Sequence, residues 1–343
     1  MSIGVAVIGA GMAGRGHAAA YRAATSLYGS DLPDVKLISI GDVNAQFGLA
    51  AAKRFGFERH DSDWRAIADD PNIHAVSVVV ANSLHREIVE GLLAAGKHVL
   101  CEKPLSDTLD DARSMVAAAN ASDKVARIGL TFLRNPAIAA IQKIISSGQL
   151  GKVLHFTGNY WADYSCDPMS PISWRYKGGM GTGALADVGS HISYVAEFIT
   201  GQTFKSVSGA RFVTSITERP VPSGAVQGHS GATVSDKMDT VENDDYAGFI
   251  ADFGGVAGAI QVSRVAAGHP TSLEFEVYCE KGAARFSQAR NGEFELLLNE
   301  DPYGQRGFRT VQVGPAHPYI AGGLPVDAPG VGVGQNDQFF FQN

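Results

Sequence analysis

Three residues in this 343-residue chain have types and settings suited to proton and alkoxide chemistry: Lys103, Asp187 and His191. Asp187 and His191 stand at i and i+4, with Tyr194 at i+7, on one face of a helix expected over 182–200. A carboxylate at that spacing can hold an imidazole in one tautomer and stabilise its charged form, which makes an oriented base. The same spacing also fits a solvated polar face, and both readings stay open on spacing alone. Before the helix runs Gly178-Gly179-Met180-Gly181-Thr182-Gly183, which allows close backbone approach. Lys103 lies in Glu102-Lys103-Pro104, at the end of an expected strand. An ammonium group there can hold a hydroxyl or alkoxide. The proline fixes the backbone and has a cis form open to it. Taken alone, a lysine before a proline is structural as readily as functional.

The elements that must position these groups begin at the N-terminus. Ile3 to Ile8 reads as a buried strand, Gly9-Ala10-Gly11-Met12-Ala13-Gly14 as a turn, and the alanine-rich run to Ala24 as a helix. In such a turn Gly9 permits the bend, Gly11 lets backbone approach a pyrophosphate, and Gly14 lets helix and strand pack closely. The helix start then offers N–H groups to phosphate. A polar insertion, Thr25 to Asp34, precedes a second strand over 35–40, which leads to Asp42. An acidic residue there accepts both ribose hydroxyls of an adenosine and repels a 2′-phosphate, so NAD is expected over NADP. The insertion accounts for a spacing longer than the usual value of about 20 residues. Asp42 also suits the N-cap of a helix over 44–55.

Further strands and helices alternate. Trp64 to Ala68 is a short helix, and Ala75 to Val80 is a β-branched run typical of a central parallel strand. A helix follows near His85, then a strand over 97–101, a helix over 107–120 and a strand over 125–130. This order predicts a doubly wound parallel sheet with ligand at the carboxyl ends of its strands. The glycine turn, Asp42, Asn82 and Lys103 all fall at such ends. From 132 the pattern changes: a helix over 136–147, a strand over 152–163, the helix over 182–200, then strands over 207–216, 245–253, 256–265, 273–279, 294–298 and 308–313. Runs of this kind predict a mostly antiparallel sheet. Leu185, Val188, Ile192, Val195 and Ile199 form the apolar stripe that packs the long helix onto it. Pro220 to Ser235 and Gly314 to Gly334 read as loops. The expected domains are 1–131 and 132–343.

Composition narrows the partners. The formal net charge is −7, with Lys and Arg scattered, so neither nucleic acid nor an anionic membrane is an expected partner. No apolar run approaches the roughly 20 residues of a membrane span. The N-terminus lacks a positive leader and cleavage site, so a cytoplasmic setting is expected. Cys101, Cys166 and Cys279 are far apart and match no disulfide framework or common zinc motif, so no metal is expected.

The strings GAGMAG, NSLH, AGKHVLCEKPL, LRNPA, SWR and GALADVGSH, in this order, resemble the glucose-fructose oxidoreductase and inositol dehydrogenase family, Gfo/Idh/MocA. The resemblance runs from Ile3 to at least Phe308. It implies a Rossmann domain, then an α/β domain with an open, mostly antiparallel sheet that often mediates homodimers or homotetramers. It implies NAD-dependent oxidation of a secondary alcohol on a pyranose, anhydrosugar or cyclitol, with nicotinamide at the strand ends between the domains. The family's catalytic set falls on Lys103, Asp187 and His191. Its cofactor side falls on Gly9, Ala10, Gly11, Met12, Ala13, Gly14, Asp42, Ala81, Asn82, His85, Glu102, Lys103 and Pro104. Its substrate side falls on Arg134, Trp161, Trp174, Arg175 and His191. The insertion after the first helix, the segment 167–175 and the stretch 306–319 resemble the levoglucosan dehydrogenase subgroup. Tyr194 stands where many members carry Asp, Leu133 where many carry Tyr, and Ala162 offers no polar group. Members also continue past the point where this sequence stops at Asn343, with a further helix. Within the family the alternatives are a glycoside-cleaving enzyme that oxidises its sugar only transiently, and a non-catalytic dinucleotide-binding sensor. Retention of Lys103, Asp187 and His191 together speaks against the sensor.

Overall fold

Parallel strands and covering helices build the first part of the chain. The computed structural model describes residues 2–27, 33–224 and 233–314. In order come β1 (Ile3–Ile8), α1 (Met12–Leu27), β2 (Val35–Gly41), α2 (Ala45–Phe55), β3 (Arg59–Asp61), α3 (Trp64–Asp69), β4 (Ala75–Val78), α4 (His85–Ala94), β5 (His98–Glu102), α5 (Leu109–Ala121) and β6 (Ala126–Gly129). The strands form one six-stranded sheet in the order β3-β2-β1-β4-β5-β6, and every pairing is parallel. The order reverses direction between β1 and β4, which opens a crevice at their carboxyl ends. The two-residue period of β1 feeds two cores. Ala6 and Ile8 pack with Ile88 and Leu92 of α4, while Val7 packs with Ala18 of α1 and Phe55 of α2. Both faces are therefore covered.

Local signals set the helix ends. Asn44, not Asp42, caps α2: its side chain accepts from Gln46 N and Phe47 N. Thr108 caps α5 by accepting from Asp111 N. Asn135 caps α6 (Pro136–Ser146), with Pro136 in the first turn.

The described residues up to Thr131 cluster as one compact unit, and those from Phe132 as another. The second unit carries β7 (Val153–Trp161), α7 (Ser190–Thr200), β8 (Ser206–Val213), β9 (Glu218–Pro222), β10 (Val234–Thr240), β11 (Tyr246–Asp252), β12 (Ala257–Ser263), β13 (Ser272–Cys279), β14 (Gly282–Ser287), β15 (Glu293–Leu298) and β16 (Arg309–Gln312). Eight strands form one sheet, β16-β15-β14-β13-β7-β12-β11-β8, antiparallel except for β7 beside β12. Phe156 and Tyr160 of β7, Ile260 and Val262 of β12, and Phe275 of β13 bury against α6 and α7. Val188, Ile192, Val195 and Ile199 fill that layer as the stripe predicts, and fully burying each such side chain stabilises by about 1.5–3 kcal/mol. Thr157, Ile250 and Gln261 point the other way and are exposed.

Some elements differ from the sequence reading. The helix expected over 182–200 starts at Leu185 with one π turn, Leu185–Gly189, which runs into α7. Part of the loop expected over 220–235 is the hairpin β9–β10. Strands β3 and β14 carry short or small-residue sequences that gave no clear period. The middle of the insertion after α1 and the stretch expected as a loop from Gly314 lie almost wholly outside the described residues.

Candidate active site

The first unit presents a dinucleotide-type cradle. Gly9 has a left-handed φ of 111°. A Cβ at Gly14 would strike the Gly9 carbonyl, which holds the turn tight against α1. Nothing stands within 4 Å of where a Cβ at Gly11 would lie. The first turn of α1 begins beside that open space, and its N–H groups have no partner within the helix. Asp42, half-buried just past β2, accepts 2.9 Å and 2.8 Å hydrogen bonds from Ala10 N and Asn44 N. A carboxylate has about four lone-pair sites, so the two oxygens keep capacity for ribose hydroxyls. The open glycine position, the helix start and the anchored carboxylate together fit a dinucleotide.

Lys103 and Pro104 follow β5 and share a cis peptide bond. Lys103 N donates to Glu102 Oε2 at 3.1 Å, and Glu102 Oε1 lies 3.0 Å from His17 Nε2. Asn82 stands in a short 3-10 turn after Ala81. His85, expected on the cofactor side, turns its ring into the fold. Its ring is fully buried, with Nδ1 3.1 Å from Pro104 O and Nε2 3.2 Å from Val80 O. It braces the loops that carry Asn82 and Lys103. Burial pushes its pKa down, although the surrounding carbonyls and Glu102 pull the other way.

The second unit holds the histidine. His191, at the start of α7, is 8% exposed. Its ring stacks on Tyr160 at 5.6 Å and meets Phe132 edge-on at 5.0 Å. The Tyr194 hydroxyl lies 2.7 Å from His191 Nδ1 and accepts from Phe132 N at 3.1 Å. A phenol oxygen has two lone pairs, so it can also accept a proton-bearing Nδ1, which leaves the lone pair on Nε2. Tyr194 can therefore hold the His191 tautomer, a role for which spacing left Asp187 a candidate. Asp187 Oδ2 accepts a 2.6 Å hydrogen bond from the Tyr164 hydroxyl. Burial, reinforced by the Asp187 charge, pushes the Tyr164 pKa well up, so the phenol keeps its proton. Tyr160 is pushed up to about 12 by burial and lies 2.7 Å from Thr271 Oγ1.

A buried polar frame beneath these residues was not read from the sequence. Asp244 Oδ1 accepts from Gly181 N and Gly183 N at 2.7 Å and 3.1 Å, and Oδ2 from Leu185 N at 2.9 Å. It caps the glycine run that leads into the π turn. A Cβ at Gly183 would collide with the Asp244 carbonyl. Asn243 Nδ2 donates to Arg175 O and Lys177 O at 2.9 Å and 3.0 Å. Arg264 Nε donates to Asp245 at 2.8 Å, and its Nη2 donates to Asn243 Oδ1 at 2.7 Å. Both charges of that ion pair are 1% exposed or less. The frame thus fixes the backbone of the 3-10 turn Trp174–Tyr176. Trp174 is 48% exposed, with the Arg175 guanidinium 4.4 Å from its ring. Arg134 is half-buried at the end of another 3-10 turn.

Trp161, expected on the substrate side, follows Tyr160 on β7. Tyr160 of β7 faces the His191 layer, and its neighbour Trp161 must face the opposite side of the sheet. There Trp161 lines a cavity of about 400 Å³ with Asn159, Glu274, Arg285 and Glu295. Among the described residues, no helix is long and apolar enough to cross a membrane. Nor does any group of three or more His, Cys, Asp or Glu among them suit a metal ion.

A pyridine-dinucleotide type of cradle followed by a histidine-bearing α/β unit defines an oxidoreductase class, and comparison with known proteins agrees. Residues 3–130 match the oxidoreductase family with an NAD-binding Rossmann fold, and 138–285 match the GFO/IDH/MocA C-terminal domain. The chain belongs to the Gfo/Idh/MocA family. It is 36% identical to levoglucosan dehydrogenase of Pseudarthrobacter phenanthrenivorans, over 97% of this chain and 86% of that protein. It is 27% identical to scyllo-inositol 2-dehydrogenase (NAD(+)) of Bacillus subtilis, over 52% of this chain and 51% of that protein. Among solved structures, levoglucosan dehydrogenase in complex with NADH and levoglucosan superposes with a TM-score of 0.89 at 34% identity, covering 99% of this chain and 88% of that one.

Proposed function

We propose that this protein is an NAD-dependent dehydrogenase that oxidises a secondary alcohol of a pyranose, anhydrosugar or cyclitol. The observation that carries the reading is the held pair in the second unit. Asp187 and His191 stand one turn apart at the junction of the π turn and α7, each with a tyrosine hydroxyl on it. Similarity to levoglucosan and inositol dehydrogenases supports the substrate class.

Bound NAD supplies the hydride acceptor. The Gly9–Gly14 turn and the start of α1 take its pyrophosphate, and Asp42 takes the adenosine ribose. His191 Nε2 accepts the hydroxyl proton. Tyr194 at Nδ1 and the stacked Tyr160 hold the ring in place, and Asp187 supports the imidazolium by its charge. The Lys103 ammonium holds the alkoxide as it forms. Trp174, Arg175 and Arg134 contact the sugar. The protein acts in the cytoplasm as a homodimer or homotetramer formed through the eight-stranded sheet. The exposed Ile250 on that sheet, 54% accessible, supports this assembly, and light scattering of the purified protein measures it.

The test is NADH formation across cyclitols, aldoses and anhydrosugars. Net NADH with at least one of them supports the reading. None from any of them, with NAD shown to bind, defeats it.

A further inference from the structure

A buried hydrogen-bond chain in the first unit ends at Lys103. It starts at Tyr21 on α1, whose hydroxyl lies 3.0 Å from Ser77 Oγ on β4. Ser77 Oγ lies 3.1 Å from His17 Nδ1, and His17 Nε2 lies 3.0 Å from Glu102 Oε1. Glu102 Oε2 accepts from Lys103 N at 3.1 Å. His17 and Ser77 are fully buried, and Glu102 is 7% exposed.

Donors and acceptors assign the chain a direction. Burial keeps the proton on the Tyr21 hydroxyl, so it can donate to Ser77. With the His17 proton on Nε2, that nitrogen donates to Glu102, Nδ1 accepts from Ser77, and Ser77 accepts from Tyr21. Both Glu102 oxygens thus receive an N–H, as a carboxylate requires, and each link polarises the next. Tyr21, Ser77 and His17 have no role in the proposed chemistry. A hydrogen-bonded buried histidine could serve stability alone, but this one terminates on the carboxylate that grips the Lys103 main chain.

We propose that His17 is a positioning residue for the reaction: acting through Glu102, it fixes the main chain at Lys103 and so places the ammonium. The proposal rests on the reading of Lys103 given above. Gln carries an N–H at nearly the reach of Nε2, whereas Leu fills the space without one.

The experiment measures single-turnover NADH formation on the best sugar of the panel, with NADH affinity measured by fluorescence. The variants are His17→Leu and His17→Gln, each with Lys103 intact and in a Lys103→Met background. With Lys103 intact, His17→Leu is expected to slow turnover by about tenfold, the scale of one lost hydrogen bond to a charged group. His17→Gln should stay within about threefold, and NADH affinity should hold in both. In the Lys103→Met background His17→Leu should cost nothing more, because residues acting as a unit are not additive. If His17→Leu does not fold, Ser77→Ala takes its place, with a loss of about threefold that also vanishes without Lys103. Equal fractional losses in both backgrounds, or a loss confined to NADH affinity, overturns the positioning role while leaving the dehydrogenase reading intact. Normal turnover in Lys103→Met alone, or no turnover by the unaltered protein, overturns that reading and the positioning role with it.

Discussion

The Tyr164 hydroxyl donates to Asp187 Oδ2 at 2.6 Å, from a half-buried phenol onto the carboxylate paired in sequence with His191. Removing that proton donor should leave the fold intact and loosen the carboxylate. Hydrogen bonds to charged groups are worth about 1.5–3 kcal/mol. Tyr164→Phe is therefore expected to lower kcat by about tenfold or more with little change in NAD affinity. Steady-state kinetics with NAD and sugar varied separately measure both. An unchanged kcat would remove Tyr164 from the site.

Asp42 takes the adenosine ribose in this account, and its charge disfavours a 2′-phosphate. Asp42→Ala should weaken NAD by roughly 1.5–3 kcal/mol and narrow its advantage over NADP. The same change also loosens the turn at Ala10, so the ratio of the two affinities is the quantity to measure. Equal affinities in the unaltered protein would contradict the assignment.

Asp244 receives three backbone N–H groups from the glycine run and the π turn. Asn at that position has one acceptor oxygen and turns an N–H₂ toward donors. Asp244→Asn should destabilise the protein by about 3 kcal/mol, since a buried donor left unmatched costs roughly 1–3 kcal/mol and more where a charge was involved. Urea unfolding measures it, and a change below about 0.5 kcal/mol would mean the carboxylate is not the cap.

His85 gives a pH dependence of stability. Its folded pKa lies below the unfolded value of about 6.5, because burial disfavours the charged ring. The unfolded chain then binds the extra proton, so stability is full above about pH 6.5 and falls as the pH drops from there toward the folded pKa. The slope contributed by one such group cannot exceed about 1.4 kcal/mol per pH unit. His85→Gln removes this contribution, so its melting temperature should fall less than that of the unaltered protein between about pH 7.5 and pH 5.5. Parallel curves would show that His85 does not titrate in this way.

The readable parts of this fold are those where local sequence and local structure coincide. The strand, glycine turn and helix at Ile3–Leu27 share one short stretch, and Lys103 follows its strand directly. The stripe along the π turn and α7 was legible because four of its positions, Val188, Ile192, Val195 and Ile199, all enter one core. The face that Trp161 occupies was not legible because a strand's faces alternate and nothing local tells which parity meets the helices. The π turn was invisible because it inserts residues without breaking the apolar period. Asp244 escaped because it lies far along the chain from the glycine run it caps. Within Asn243-Asp244-Asp245, three adjacent polar residues carry no local sign of burial, whereas all three are buried and each is a framework acceptor or donor. His17 sat inside the alanine-rich helix as one more polar residue until its partners on β4 and β5 were placed.

The central claim is that hydride leaves a ring carbon of the substrate for bound NAD while His191 takes the hydroxyl proton. Its most direct test uses a levoglucosan or inositol deuterated at its ring carbons, with mass spectrometry of the accumulated NADH. The account predicts one deuterium per NADH, an equal yield of ketone, and a rate lowered by about 10²–10⁴-fold in His191→Ala. NADH without deuterium, or deuterated NADH formed as fast by His191→Ala, would contradict it.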